Sequence, residues 1–456
     1  MTLTRDPAAR LVDHALSIEW EALPPSARTA TQAFLFDTLA VGVAGHNALH
    51  ASEVRSLAQF WTGHAAGEGM VLGAAGMRLP APYAAYVNAY QVHAQEYDCV
   101  HEAAVAHPMA TVCAALLAEA ERRPASGADF LAAVVAGIDV VATLGVAAKG
   151  PLKFFRPATA GIFGCVAALA RLRRVQPEVA RRAFGHALAL ASGTMQSHIE
   201  GKPTLALQVA AAARSAVEAF DLARAAIPSP EGAIGGTFGY MALFENDPVL
   251  EPELDRLGTV WRVEEVSWKP FPTGRAAQGG IVAFKTLMAQ HSVTSDNLAA
   301  LEYHAPPLIH RLVGRRPQPE MTVAYARLCF AWLGAVVLRE GDVDLGAFTP
   351  AELNAPKLMA LAERITVIAD DNPDLAAFVP AFALARLMDG TMLRVDVKQQ
   401  FGSPEWPLTL DEQLEKARRC FTFGGLEEGL VPQLHALVMR LNAIDDVAGD
   451  LARTLG

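Results

Sequence analysis

The sequence predicts a mainly α protein, with a large all-helical domain and a smaller α+β domain. Three observations carry this. Of 456 residues, 52% are hydrophobic and only 19% charged, enough for a large core and too apolar for a disordered chain. Aromatic residues are only 7% against abundant Ala, Leu and Arg, a balance that favours helix over sheet. Strand patterns are confined to the stretch beyond Leu250.

The first helical pattern is Ser26–Ala44, SARTATQAFLFDTLAVGVA, with Ser26 as N-cap after Pro24 and Pro25. Helical spacing recurs at Pro82–Gln91, Pro108–Glu121, Gly127–Val146, Ala158–Leu172, Pro177–Ser192 and Thr204–Ala226. Several of these open with Pro, which suits a first helical turn. Near Leu250 the composition changes, and PVLEPELDRLG leads into WRVEEVSWKPFP. Strands are expected at Leu301–His304, Ile365–Ala369, Phe382–Met388 and Met392–Val397, the last two joined by an Asp389-Gly390 turn. Helices at Gly280–Gln290, Tyr325–Arg339 and Leu358–Arg364 interleave with them. From Leu410 the pattern is helical again, and that tail would leave apolar faces exposed unless it returned to the first domain. The expected division is therefore a discontinuous helical domain, 1–256 and 405–456, with an α+β domain, 257–404, inserted.

The formal net charge is -10 and there is no long basic run, so a nucleic-acid partner is not expected. Phe130–Ala148 is the most membrane-like stretch, but Asp139 and two glycines interrupt it. It reads as a buried helix, and no membrane segment is expected. The N-terminus lacks an apolar signal core, which points to a cytoplasmic protein. Five scattered cysteines show neither metal spacing nor a disulfide framework. No metal and no cofactor are expected.

Four segments carry residues with possible chemistry. Asn88–Thr111, NAYQVHAQEYDCVHEAAVAHPMAT, concentrates acids and histidines between two apolar helices. His107 precedes Pro108 at a helix start, where the dipole lowers a histidine's pKa, so it is a candidate acid or base. Glu96 and Asp98 are candidates to share that role, against a capping role; His101 and Glu102 read as solvated loop. Lys202, bracketed by Gly201 and Pro203 before an apolar helix, is placed to hold a carboxylate. Lys269 and Arg275 flank PFPTG at the domain junction, and arginine suits bidentate carboxylate binding. Arg156 in KFFRPATAG opens another helix.

These segments, in this order, resemble the MmgE/PrpD family, which includes 2-methylcitrate dehydratases, cis-aconitate decarboxylases and iminodisuccinate epimerases. FLFDTLAVGVAG resembles its opening helix, HAQEYDCV with the later His-Pro its acidic loop, and GKPTLALQVAAAAR its lysine-bearing helix start. EGAIGGTFGY, WKPFPTGR and the closing GSPEWPLT with Lys416 follow in the same order. The resemblance implies the two-domain fold with the site between domains, a homodimer, and roles for Glu96, Asp98, His107, Lys202 and Lys269. The chain departs from the pattern at four positions. Cys99 follows Asp98 where a second Asp is usual, and Arg156 and Gly274 stand where relatives have histidines. Trp332 stands where decarboxylase relatives have tyrosine.

The leading expectation is a hydro-lyase acting on a small di- or tricarboxylic acid such as a 2-methylcitrate-like substrate. His107, Glu96 and Asp98 would move protons, and Lys202, Lys269, Arg275 and Arg156 would hold carboxylates. The alternatives are a decarboxylase of a cis-aconitate-like acid, an epimerase of an amino- or imino-polycarboxylate, and a carboxylate-binding relative without catalysis.

Overall fold

The computed structural model describes residues 6–374 and 376–455. Its apolar side chains form two clusters. One gathers residues from Ala8 to Trp268 and again from Leu408 to Leu455, with Leu328 and Leu345 reaching in. The other gathers Phe271 to Val397. The change of core falls between Trp268 and Phe271, later than the expected residue 257. The cause is that Val263, Val266 and Trp268 turn back into the first cluster.

The first cluster is built on α1 (Pro25–Ala44), α2 (Ala81–His93), α3 (Pro108–Arg122), α4 (Gly127–Ala147), α5 (Gly161–Leu172) and α6 (Thr204–Arg224). The first three carry proline in their first turn, where no backbone hydrogen bond is lost. α6 packs on α2, α2 on α3, and α4 on α5. The last contact is close: a Cβ on Gly164 would meet Val141 at 2.2 Å and the Gly137 carbonyl at 2.6 Å. α4 is long and apolar enough to cross a membrane, but 94% of its apolar window is buried inside the protein. Its buried acid, Asp139, accepts from the Arg262 amide at 2.9 Å and lies 2.8 Å from His14 Nε2. A buried carboxylate held in that way is a core feature. Helices Pro7–Ser17 and Ala51–Trp61 add to the expected set, and the expected Ala158–Leu172 helix is interrupted at Ala160.

The second cluster is built on α7 (Gln278–His291), α8 (Phe330–Glu340) and a four-stranded sheet: β1 (Leu298–Ala305), β2 (Ile365–Ala369), β3 (Ala381–Leu387) and β4 (Met392–Val397). The strand order is β2-β1-β3-β4; β1 and β2 are parallel and the other pairs antiparallel. Asp389-Gly390 makes the β3–β4 turn, with Gly390 at φ 89°. α7 covers β3 and β4, and α8 covers β2. The expected helix Tyr325–Arg339 is broken. A short turn, Val323–Ala326, precedes α8, because the Arg327 carbonyl leaves the helix to accept from the Gly274 amide at 3.1 Å.

The C-terminal tail returns to the first cluster. α9 (Leu410–Gly424) starts with a capping box between Thr409 and Glu412 and packs on α1. From its buried face, Lys416 reaches Asp37 at 2.7 Å and donates to the Tyr97 carbonyl at 2.9 Å. The tail therefore touches the acidic loop directly.

Candidate active site

α2 ends at His93, and His107 is the N-cap of α3. The chain between them folds inward. Glu96 adopts φ 50°, a left-handed conformation uncommon for a non-glycine residue, and Asp98 is fully buried. One oxygen of Asp98, Oδ2, receives the Nδ1 atoms of both His93 and His107, each at 3.0 Å. The two imidazoles meet edge to face, with centroids 4.8 Å apart. Lys269 completes the group. Its ammonium donates to Glu96 Oε2 at 2.9 Å and lies 3.8 Å from Asp98 Oδ1.

Electrostatics separates these groups. Burial works against charge on Glu96, but Lys269 and the two histidines outweigh it and hold its pKa at about 2. Burial also opposes charge on Asp98, and His107, His93 and Lys269 together push it well below the usual carboxylate range. Both acids are ionised near neutral pH, so neither is a proton donor there, and together they place negative charge beside the two histidines. Burial tends to neutralise both histidines. For His93 the adjacent Asp98 wins and raises the pKa. For His107 burial, Lys269 and His93 win over Asp98, and the pKa falls. A pair of like groups pushed apart in this way is a mark of acid/base sites.

His107 opens onto a cavity of about 70 Å³ between the two clusters. Its polar walls are Glu96, His107, Arg156, His198 and Arg275; most of the remainder is apolar. Among the described residues nothing bonds His107 Nε2, so with Nδ1 turned to Asp98 that nitrogen is available on the cavity side.

The expected cations are placed unequally. Arg275 donates from Nε to Glu102 at 2.6 Å and from Nη1 to the carbonyls of Trp268 and Phe401. Its Nη2 is buried with no partner among the described residues. Lys202 is exposed and lines a smaller pocket with His93, Glu96 and Arg327; the two pockets share Glu96. Lys269 stands behind Glu96 as its counter-charge instead of on the cavity wall. Arg156 requires a correction. It lines the cavity, but Nε and Nη2 clamp Glu245 at 2.9 and 2.8 Å and Nη1 donates to the Ala104 carbonyl. Its fork is filled from within the protein, leaving no paired donors for a substrate carboxylate.

The loop residues read as solvated are also structural. His101 is buried against Glu265 at 2.9 Å, and Glu102 accepts from Arg275 and from Ser267, fastening the loop to the 265–275 segment. Trp332 lies wholly inside the second cluster. His198, which sequence reasoning passed over, lines the cavity; its position four residues before Lys202 was the available signal.

His93, Asp98 and His107 present ligand atoms within 4.8 Å of one another. Both Nδ1 atoms already hydrogen-bond the same carboxylate oxygen, and an ammonium stands 3.8 Å from the other oxygen. A cation placed there would have to break both hydrogen bonds and face Lys269, so this chemistry suits a proton-bearing relay better than a metal site.

Comparison with known proteins agrees with this architecture. Residues 9–253 match the MmgE/PrpD N-terminal domain, and residues 271–428 match the MmgE/PrpD C-terminal domain. The chain is similar to human cis-aconitate decarboxylase, 25% identical over 396 residues that cover 82% of this chain and 80% of the relative. The mouse enzyme of the same name is 24% identical over 90% of this chain and 86% of its own. A cis-aconitate decarboxylase-like protein of Aspergillus oryzae is 26% identical over 82% of each chain. The two matched domains meet between residues 253 and 271, around the change of core. The chain belongs to the MmgE/PrpD family.

Proposed function

We propose that this protein is a lyase for a small di- or tricarboxylic acid, and that it acts as a hydro-lyase on a 2-methylcitrate-like substrate. One observation carries the reading: His107, oriented by Asp98 at the start of α3, lines the same cavity as Arg275, whose guanidinium keeps one buried nitrogen without a partner among the described residues. A proton beside a carboxylate is only weakly acidic, so its removal needs a placed base and a fixed positive charge on the neighbouring carboxylate. His107 Nε2 is that base and the Arg275 guanidinium that charge. As Nε2 takes the proton, the C–H electron pair becomes the double bond, the C–O bond breaks, and the hydroxyl leaves as water once it is protonated. Asp98 stabilises the imidazolium that forms. Lys202, with no hydrogen bond from its side chain among the described residues, is proposed to hold a further carboxylate across Glu96.

A second reading is favoured by the relatives, which are named for decarboxylation of cis-aconitate. The same groups then serve a different step: the C–C bond to a carboxylate breaks, carbon dioxide leaves, and His107 returns a proton to the carbon. The protein is proposed to work as a cytoplasmic homodimer. Its five cysteines are free and buried, as suits a reducing compartment, and Phe60, Phe238 and Ile199 offer exposed apolar surface. The test is incubation with citrate, 2-methylcitrate and cis-aconitate, with products read by mass spectrometry. Loss of water supports the hydro-lyase and release of carbon dioxide the decarboxylase. No conversion of any of these acids would refute both.

A further inference from the structure

The cavity holds a second imidazole. His198 sits in the short helix Gln196–Glu200, is buried to 8% exposure, and lines the same walls as His107 and Arg275. Among the described residues no group hydrogen-bonds either of its ring nitrogens, in contrast to His93, His101 and His107. A buried polar ring is normally satisfied by a neighbour. Here the ring has no such neighbour among the described residues, on a wall it shares with His107 and Arg275.

The backbone around it is fixed. The His198 carbonyl accepts from Arg315 Nη2 at 2.9 Å and from the Gly201 amide at 3.2 Å. Gly201, at φ 63°, lies against Tyr325: an added Cβ would sit 2.6 Å from its Cα. The Gly201 carbonyl accepts from Thr322. Contacts from the second cluster thus hold the backbone of the segment, while the ring nitrogens of His198 have no hydrogen-bond partner among the described residues.

We infer that His198 is a second proton-transfer group of this site, working opposite His107 on a bound polycarboxylate. The inference rests on the proposed lyase function and deepens it. Elimination of water needs two proton movements, one off carbon and one onto the departing hydroxyl. With Glu96 and Asp98 held as anions, His107, bonded through Nδ1 alone, and His198 are the two imidazoles on the cavity wall. One accepts the C–H proton as the double bond forms. The other, as imidazolium, gives a proton to the hydroxyl as the C–O bond breaks, so that one water leaves and the pair together holds as many protons as before. In the empty site burial and Arg315 beside it depress the His198 pKa to about 4, with Glu96 opposing and Arg311 adding to the depression. The carboxylates of a bound substrate bring negative charge into the same space and raise it, so the ring gains its proton with the ligand.

The test compares wild type with His198→Gln and His198→Asn on whichever screened acid is converted. The expected result is a kcat lower by about 10²–10⁴-fold with KM changed less than about threefold, an unchanged melting temperature, and loss of one limb of the kcat–pH profile. A kcat within threefold of wild type in a folded variant overturns the inference. A second measurement uses citrate as probe, with the His198 ring resonance assigned by its absence in His198→Gln. Its pKa should rise by a unit or more on saturation; a resonance that citrate leaves unmoved overturns the inference. If wild type converts none of the acids, the functional reading fails, and the ring titration alone decides whether His198 faces the anion.

Discussion

Replacing Lys416 by methionine should destabilise the fold strongly at neutral pH and far less in acid. Lys416 and Asp37 are 4% and 2% exposed and 2.7 Å apart, and Asp37 Oδ2 has no hydrogen-bond partner among the described residues. Removing the ammonium leaves a buried carboxylate uncompensated, a loss of about 3–5 kcal/mol. The sign of the pH effect follows from Asp37. Burial already raises its folded pKa above 3.8, with Lys416 as the main opposing influence. Without Lys416 the folded pKa rises further, while the unfolded value stays ordinary. A carboxylate with a raised folded pKa loses stability as pH climbs, by about 1.4 kcal/mol per unit until the folded pKa is passed. The variant should therefore lie well below wild type in urea unfolding at pH 7, with the gap narrowing by pH 5. Adding Asp37→Asn removes the stranded charge and should bring stability back to within about 1 kcal/mol of wild type. A single variant as stable as wild type, or a double variant no better than the single, would refute the reasoning.

Asp98→Asn removes the carboxylate that orients both imidazoles, so kcat should fall by about 10²–10⁴-fold in product formation at a temperature where the variant is folded. Because Asp98 is a buried anion held by two imidazoles, thermal unfolding should also come earlier. Glu96, held at about 2 against an ordinary 4.5, contributes stability that is present above pH 4.5 and lost as pH falls through the folded value, up to about 3 kcal/mol; Glu96→Gln should flatten that part of the acid unfolding curve. Arg156→His strands the buried Glu245 and should cost about 3–5 kcal/mol in urea unfolding, recovered by adding Glu245→Gln; a shift in substrate preference at unchanged stability would restore Arg156 to the binding wall. Lys202→Ala should change stability by no more than about 0.5 kcal/mol while raising KM; an unaltered KM would remove Lys202 from the site.

The helices were legible because proline marks their starts and their apolar positions recur with helical spacing, as at Pro108 and Pro25. The strand pair around Asp389-Gly390 was legible for its turn chemistry. The site was legible in outline: Glu96, Asp98, His107, Lys269 and Arg275 stand out as charges set among apolar or proline-rich flanks. Their partners were not legible, since pairing is decided by where distant segments meet. Nothing near Arg156 in sequence announces Glu245, and nothing near His101 announces Glu265. The left-handed backbone of Glu96 leaves no mark in composition either. His198 was hidden by its neighbour: Lys202 drew the attention, although the histidine lines the larger cavity.

The contact from α9 to the acidic loop bears on how the molecule is made. Tyr97 and Lys416 are 319 positions apart, so the ribosome delivers the loop long before the side chain that holds it. Until then Asp37 lacks its cation and the carbonyl between Glu96 and Asp98 lacks its donor. A nascent chain that has emerged only through the sheet can collapse around the first helices, but it closes over an unneutralised acid. The backbone at the acidic loop and the charge of Asp37 are thereby completed only by a residue near the end of the sequence.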